Sequence, residues 1–122
     1  MPPQTVSASA GCIGKIDSIS STATPDRFAA TGWLYDPAGK QYVSSIVIAD
    51  RAGKVLGTGI TGAQRADLAP ITGSNDRYGR WTGFFVRPSD REIRLFGRLD
   101  TGRYCAIPDA QALDTSKTQP PA

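Results

Sequence analysis

Histidine is absent from this 122-residue chain, and glutamate occurs once, at Glu92. Without an imidazole there is no ready general base near neutral pH and no nitrogen ligand for a metal. No serine sits in a Gly-x-Ser-x-Gly turn, and none has a histidine to take its proton. The two cysteines, Cys12 and Cys105, stand too far apart for the usual zinc spacings. No apolar run approaches the roughly 18 residues that a membrane-crossing helix requires. Met1-Pro2-Pro3-Gln4 lacks the basic start and apolar stretch of a signal peptide. Nucleophilic and zinc-dependent catalysis are therefore poor readings, and no cofactor is implied.

The carboxylates offer little more. Asp17, Asp36, Asp67 and Asp100 could supply a glycosidase-like pair, but each reads more simply as a turn or surface residue. A hydrolase would need a deep polar cleft holding two of them. Asn75 and Asp76 lie in a stretch that could hold Ca²⁺, yet no repeating carboxylate pattern supports a site. The expectation is a protein that is not an enzyme.

Glycine (13) and proline (9) are plentiful, while 39% of the residues are hydrophobic. That mixture calls for many turns between short elements, as in an all-β domain. The length suits one such domain, over residues 11–109. The polar stretches 1–10 and 110–122 cannot bury enough apolar surface to offset chain entropy, and are expected to be disordered tails.

Seven strands are expected, over 12–19, 27–35, 42–49, 54–61, 81–87, 92–99 and 104–107. In 27–35, Trp33 and Tyr35 share a face with Ala29 and Thr31, and the chain then meets Asp36-Pro37-Ala38-Gly39. Proline fixes its own φ and holds Asp36 extended, so the strand must stop there. Trp33 is the expected centre of the core. Isoleucines 13, 16 and 19 recur every three residues, which is not a strand period, so the faces of 12–19 stay open. Gly57 and Gly59 fall on one face, marking a bulge or the close approach of a backbone or ligand. In the long connection 61–80, residues 63–68 allow a single helical turn. The turn spacing favours a seven-stranded antiparallel sandwich with immunoglobulin-like connections, with a small barrel as the alternative.

Cys12 and Cys105 open and close this set of strands. Paired, they would close almost the whole chain into one loop, for about 4–5 kcal/mol of stabilisation by chain-entropy reasoning. Two buried thiols are the plainer alternative. A disulfide would place the domain in an oxidising compartment, periplasmic or extracellular. The chain is then expected to come from a longer exported or membrane-anchored protein.

Seven arginines (77, 80, 87, 91, 94, 98 and 103) crowd the last third of the domain. Arg94 and Arg98 share a strand face with Phe96 between them and could line a surface for acidic groups. No nucleic-acid motif accompanies them, so nucleic acid is not an expected partner. A solvated strand face is the plainer reading. Tyr78 and Trp81, at the end of the long connection, are the expected exposed aromatics, able to stack on sugar rings. The candidate ligand-binding set is Tyr78, Trp81, Arg80, Arg94 and Arg98.

Gly32-Trp33-Leu34-Tyr35-Asp36-Pro37, then Gly53-Lys54-Val55-Leu56-Gly57, Arg65-Ala66-Asp67-Leu68 and Gly83-Phe84 form a pattern of their own. The pattern resembles the small bacterial β-sandwich domains that carry a GWxxDP signature. Such domains are appended to glycosyltransferases and to polytopic envelope proteins that handle glycans. The resemblance covers most of 11–108 and implies a non-catalytic accessory domain on the outer side of the inner membrane. Its partner would be an envelope glycan or the membrane part of the same parent protein. The competing expectation is a purely structural domain that docks on proteins through a strand edge.

Overall fold

The alternating patterns form strands in the computed structural model, which describes residues 5–64, 69–73, 78–88, 92–107 and 111–112. In chain order these are β1 (Ala10–Gly11), β2 (Ile13–Ser21), β3 (Arg27–Asp36), β4 (Gln41–Tyr42), β5 (Ser45–Ala49) and β6 (Val55–Ala63). After a four-residue helix α1 (Ala69–Thr72) come β7 (Arg80–Val86), β8 (Glu92–Arg98), β9 (Tyr104–Ala106) and β10 (Gln111–Ala112). The all-β expectation holds. The expected strands fall within about two residues of their places, 42–49 being divided at Val43 and Ser44. Of the helical turn expected over 63–68, Ala63 instead ends β6, while 65–68 lie outside the described residues.

The strands join in one sheet, ordered β1-β9-β8-β5-β6-β7-β3-β2, with β4 added to β3 and β10 to β8. β1 lies at one end of that order and β2 at the other, yet only Cys12 separates them in the chain. One stretch of backbone thus reaches both ends, and the sheet curls around its own inner face. Cys12 sits at the switch, where its N–H donates to the Ala106 carbonyl at 3.0 Å. It is disulfide-bonded to Cys105 in β9, with the Cα atoms 5.5 Å apart. β1 runs parallel to β9, so the sheet is mixed and not wholly antiparallel as expected.

The inner face holds Phe28, Leu34, Ile46, Ile48, Trp81, Phe85, Ile93 and Leu95 around the disulfide. Phe28 and Phe85 stack there with ring centroids 5.4 Å apart. Trp81, 0% exposed, occupies the place expected of Trp33. Trp33 is buried too, but in a separate cluster with Tyr35 and Tyr42. Alternation forces this outcome: Leu34 points into the core, so its neighbours Trp33 and Tyr35 point out of it. The Gly57 and Gly59 spacing reflects backbone and not ligand. A Cβ at Gly57 would come within 2.6 Å of Phe85 Cα, and one at Gly59 within 2.8 Å of Gly83 Cα.

The expectation of a disordered tail over 1–10 fails for residues 5–10. Thr5 bridges to Lys54, the Val6 N–H donates to Gly53 O at 2.8 Å, and Ser9 N–H donates to Tyr104 O at 2.9 Å. Val6 packs on Val47, Ala49, Phe96 and Ala106, forming a small second core on the outer face of β5, β8 and β9. Its apolar burial and backbone pairing together offset the ordering cost. At the other end, Gln111 and Ala112 pair with β8 where a tail was expected, and 113–122 lie outside the described residues.

Candidate functional site

The N-terminal segment covers part of the outer face over β5, β8 and β9 but leaves Ser45 and Arg98, the neighbouring β6 and β7, and the start of β3 accessible. On β7, Arg80, Thr82, Phe84 and Val86 alternate with the buried Trp81, Gly83 and Phe85, and so face outward. Phe84 is 49% exposed and Ile60 of β6 70% exposed. Register places Thr58 opposite Phe84 and Ile60 opposite Thr82, so these side chains share that face. From β3, Arg27 lies opposite Val86, and its guanidinium sits 4.7 Å from the centre of the Phe84 ring. Thr31 adds a hydroxyl that hydrogen-bonds Ser18 Oγ at 2.7 Å.

Two hollows mark this face. One of about 410 Å³ is lined by Arg27, Leu56, Gly57, Thr58, Phe84, Phe85 and Val86. The next, of about 200 Å³, is lined by Ser45, Ile46, Val47, Thr58, Gly59, Ile60, Arg98 and Tyr104. Thr58 lines both, so the two hollows adjoin at that residue and together make a shallow groove, stepped at Thr58, across the strands. Its lining combines apolar surface, hydroxyl groups and two arginines, without a carboxylate. Such a surface can take a ligand with apolar faces and hydrogen-bonding edges.

The set expected from the sequence is not brought together. Trp81 is in the core and cannot stack on a ligand, because β7 turns its odd-numbered residues inward. Tyr78 is exposed, at 60%, but lines neither hollow. Arg80 is half-buried on the outward face of β7, in register with Trp33. Arg94 lies 5.6 Å from the Phe96 ring, and Phe96 is itself buried beneath Val6, so no aromatic surface is offered there. Only Arg98 reaches the groove. Arg87 is engaged by Asp26, Nε to Oδ1 at 2.9 Å. Arg77 and Arg91 lie outside the described residues, as do Asp67, Asn75 and Asp76.

A smaller polar hollow of about 110 Å³ does gather Asp36 and Asp100, with Gln41, Tyr42, Ser44 and Arg98. Both carboxylates have structural partners. Asp36 Oδ1 accepts the Ala38 N–H at 3.1 Å, closing the turn after β3, and Asp100 Oδ2 accepts from Gln41 Nε2 at 2.7 Å. No group of three or more Cys, Asp or Glu among the described residues is placed to hold a metal. No helix among them is long and apolar enough to cross a membrane.

Comparison with protein-family models, with curated proteins and with solved structures returns no match. The disulfide is thus the firmest pointer to setting: such bonds persist in oxidising compartments, outside the cytoplasm.

Proposed function

We propose that this is a non-catalytic binding or accessory domain of a larger exported or membrane-anchored envelope protein, and that it holds carbohydrate on the open half of its outer sheet face. The observation that carries the reading is the groove across β3, β7, β6 and β5, with Phe84 and Ile60 exposed beside hydroxyl groups. Exposed apolar side chains interleaved with hydroxyl groups in a concave surface give a ligand both kinds of contact. A sugar ring matches it, having C–H faces for the apolar side chains and hydroxyls for Thr58 and Ser45. The disulfide favours a periplasmic or extracellular location, where envelope glycans are found. Binding of the wild-type domain to a glycan array, lost on Phe84→Ala with the fold intact by circular dichroism, supports the proposal. An array that stays silent across microbial cell-surface glycans sinks it.

A second reading, docking to protein through a strand edge, rests on β2. This nine-residue strand ends the sheet order, with β3 as its only ladder partner among the described strands. Edge strands can accept another chain by β-augmentation. Ile13→Lys, a charge added at an exposed position of this edge strand, should abolish copurification of an envelope partner without loss of stability; that result would favour it over the glycan reading.

A further inference from the structure

We propose that the groove is built for a carboxylate-bearing polysaccharide, with Arg27 and Arg98 holding acidic groups at its two ends. This rests on the carbohydrate reading and adds the charge and the length of the ligand.

Each hollow contributes one arginine, and no carboxylate lines either one. The nearby acids already have partners: Asp26 binds Arg87, and in the polar hollow that Arg98 also lines, Asp100 accepts from Gln41 and Asp36 from the Ala38 N–H. Among the described residues neither Arg27 nor Arg98 has a carboxylate within salt-bridge distance. The Arg27 guanidinium carbon lies 4.7 Å from the centre of the Phe84 ring, a cation–π contact. That contact restrains the side chain before a ligand arrives, which lowers the ordering cost of binding.

The spacing of the arginines sets the size of the ligand. Arg27 is on β3 and Arg98 on β8, four steps apart in the sheet order. At about 4.8 Å per strand this is roughly 19 Å across the strands, with a further offset along them, too far for one small anion to span. Between them lie Thr58, Ile60 and Ser45, a surface of mixed apolar and hydroxyl character. A chain of sugars with repeated carboxylates matches both ends and the middle.

The test is calorimetric titration of the whole domain with oligomers of galacturonate, mannuronate and hyaluronan, and with the same oligomers after reduction of their carboxyl groups. At least one acidic series should bind about a hundredfold more tightly than its neutral counterpart, the effect of two good charge-assisted contacts of about tenfold each. Arg27→Gln and Arg98→Gln should each weaken it about tenfold, while Arg51→Gln, on a turn remote from the groove, should not. Raising NaCl from about 0.05 to 0.3 M should weaken the acidic series selectively. Equal binding of the reduced oligomers overturns the acid inference and leaves the carbohydrate reading standing. Binding of poly-glutamate as tight as that of the sugars overturns it as mere charge attraction. Failure of acidic and neutral oligomers alike removes both readings.

Discussion

Gly32 and Trp81 face each other across the β3–β7 ladder, and the indole fills the space that a side chain at Gly32 would take. A Cβ at Gly32 would lie 2.7 Å from Trp81 Cζ2 and 2.9 Å from Cε2, and closer still to the Lys15 carbonyl oxygen of β2. The pairing of the smallest residue with the largest lets the curled sheet close over a ring system. It also explains why Trp81 sits in the core and not on the surface.

Gly32→Ala should therefore destabilise the domain by about 1–3 kcal/mol through overpacking. Trp81→Phe should cost less in the Gly32→Ala chain than in wild type, because the smaller ring relieves the contact with the indole but not the one with the Lys15 carbonyl. A double-mutant cycle in urea should show coupling above about 0.5 kcal/mol. Independent, additive effects would mean the two residues do not share that space.

Trp81→Ala should cost about 3–5 kcal/mol by chemical denaturation, as loss of a fully buried aromatic does. Tyr78→Ala, at an exposed position, should stay within about 0.5 kcal/mol of wild type. The reverse ranking would contradict the assignment of β7's faces.

Cys12→Ser with Cys105→Ser should lower stability by about 2–5 kcal/mol, since the bridge spans a sequence separation of 93. Non-reducing mass analysis of the wild-type chain should find no free thiol. Two alkylatable thiols in the native protein would remove the argument for an oxidising compartment.

Val6→Ala should cost about 1.5 kcal/mol, from two methyl groups taken out of the second core. Val6→Asp should go further and expose Phe96 and Val47, visible as binding of a hydrophobic dye. An unchanged denaturation midpoint for both variants would return residues 5–10 to the status of a tail.

Much of this fold is legible in the alternation of single strands. In 92–99, Ile93 and Leu95 separate cleanly from Glu92, Arg94 and Arg98, and the structure places them on opposite faces. The difficulty lies where both faces of a strand carry large apolar groups. β3 and β7 each present aromatics on both sides, and alternation divides the faces without saying which is inside. The glycines carry the missing information. Gly57, Gly59 and Gly83 share the register rows of Phe85 and Ala30, so the face with the least side-chain volume also accommodates the largest rings. The isoleucines of β2 were unreadable for another reason. A bulge between Ile16 and Ser18 shifts the phase, so Ile16 and Ile19 both pack on the core while Ile13 is exposed. The groove was hidden because it joins Arg27, Thr58, Phe84 and Arg98 from four strands distant in sequence. Among those expected for the site, Arg98 alone belongs to it, and charge clustering in the chain says nothing about which cations the curl brings to one face.

The most direct test of the account is an amide-shift titration of ¹⁵N-labelled domain with the tightest-binding glycan. Perturbations should concentrate at Thr58, Ile60, Thr82, Phe84 and Arg98 and leave β2 and residues 5–9 unmoved. Shifts confined to Tyr78 and the turn after β3, or no shifts at saturating glycan, would contradict it.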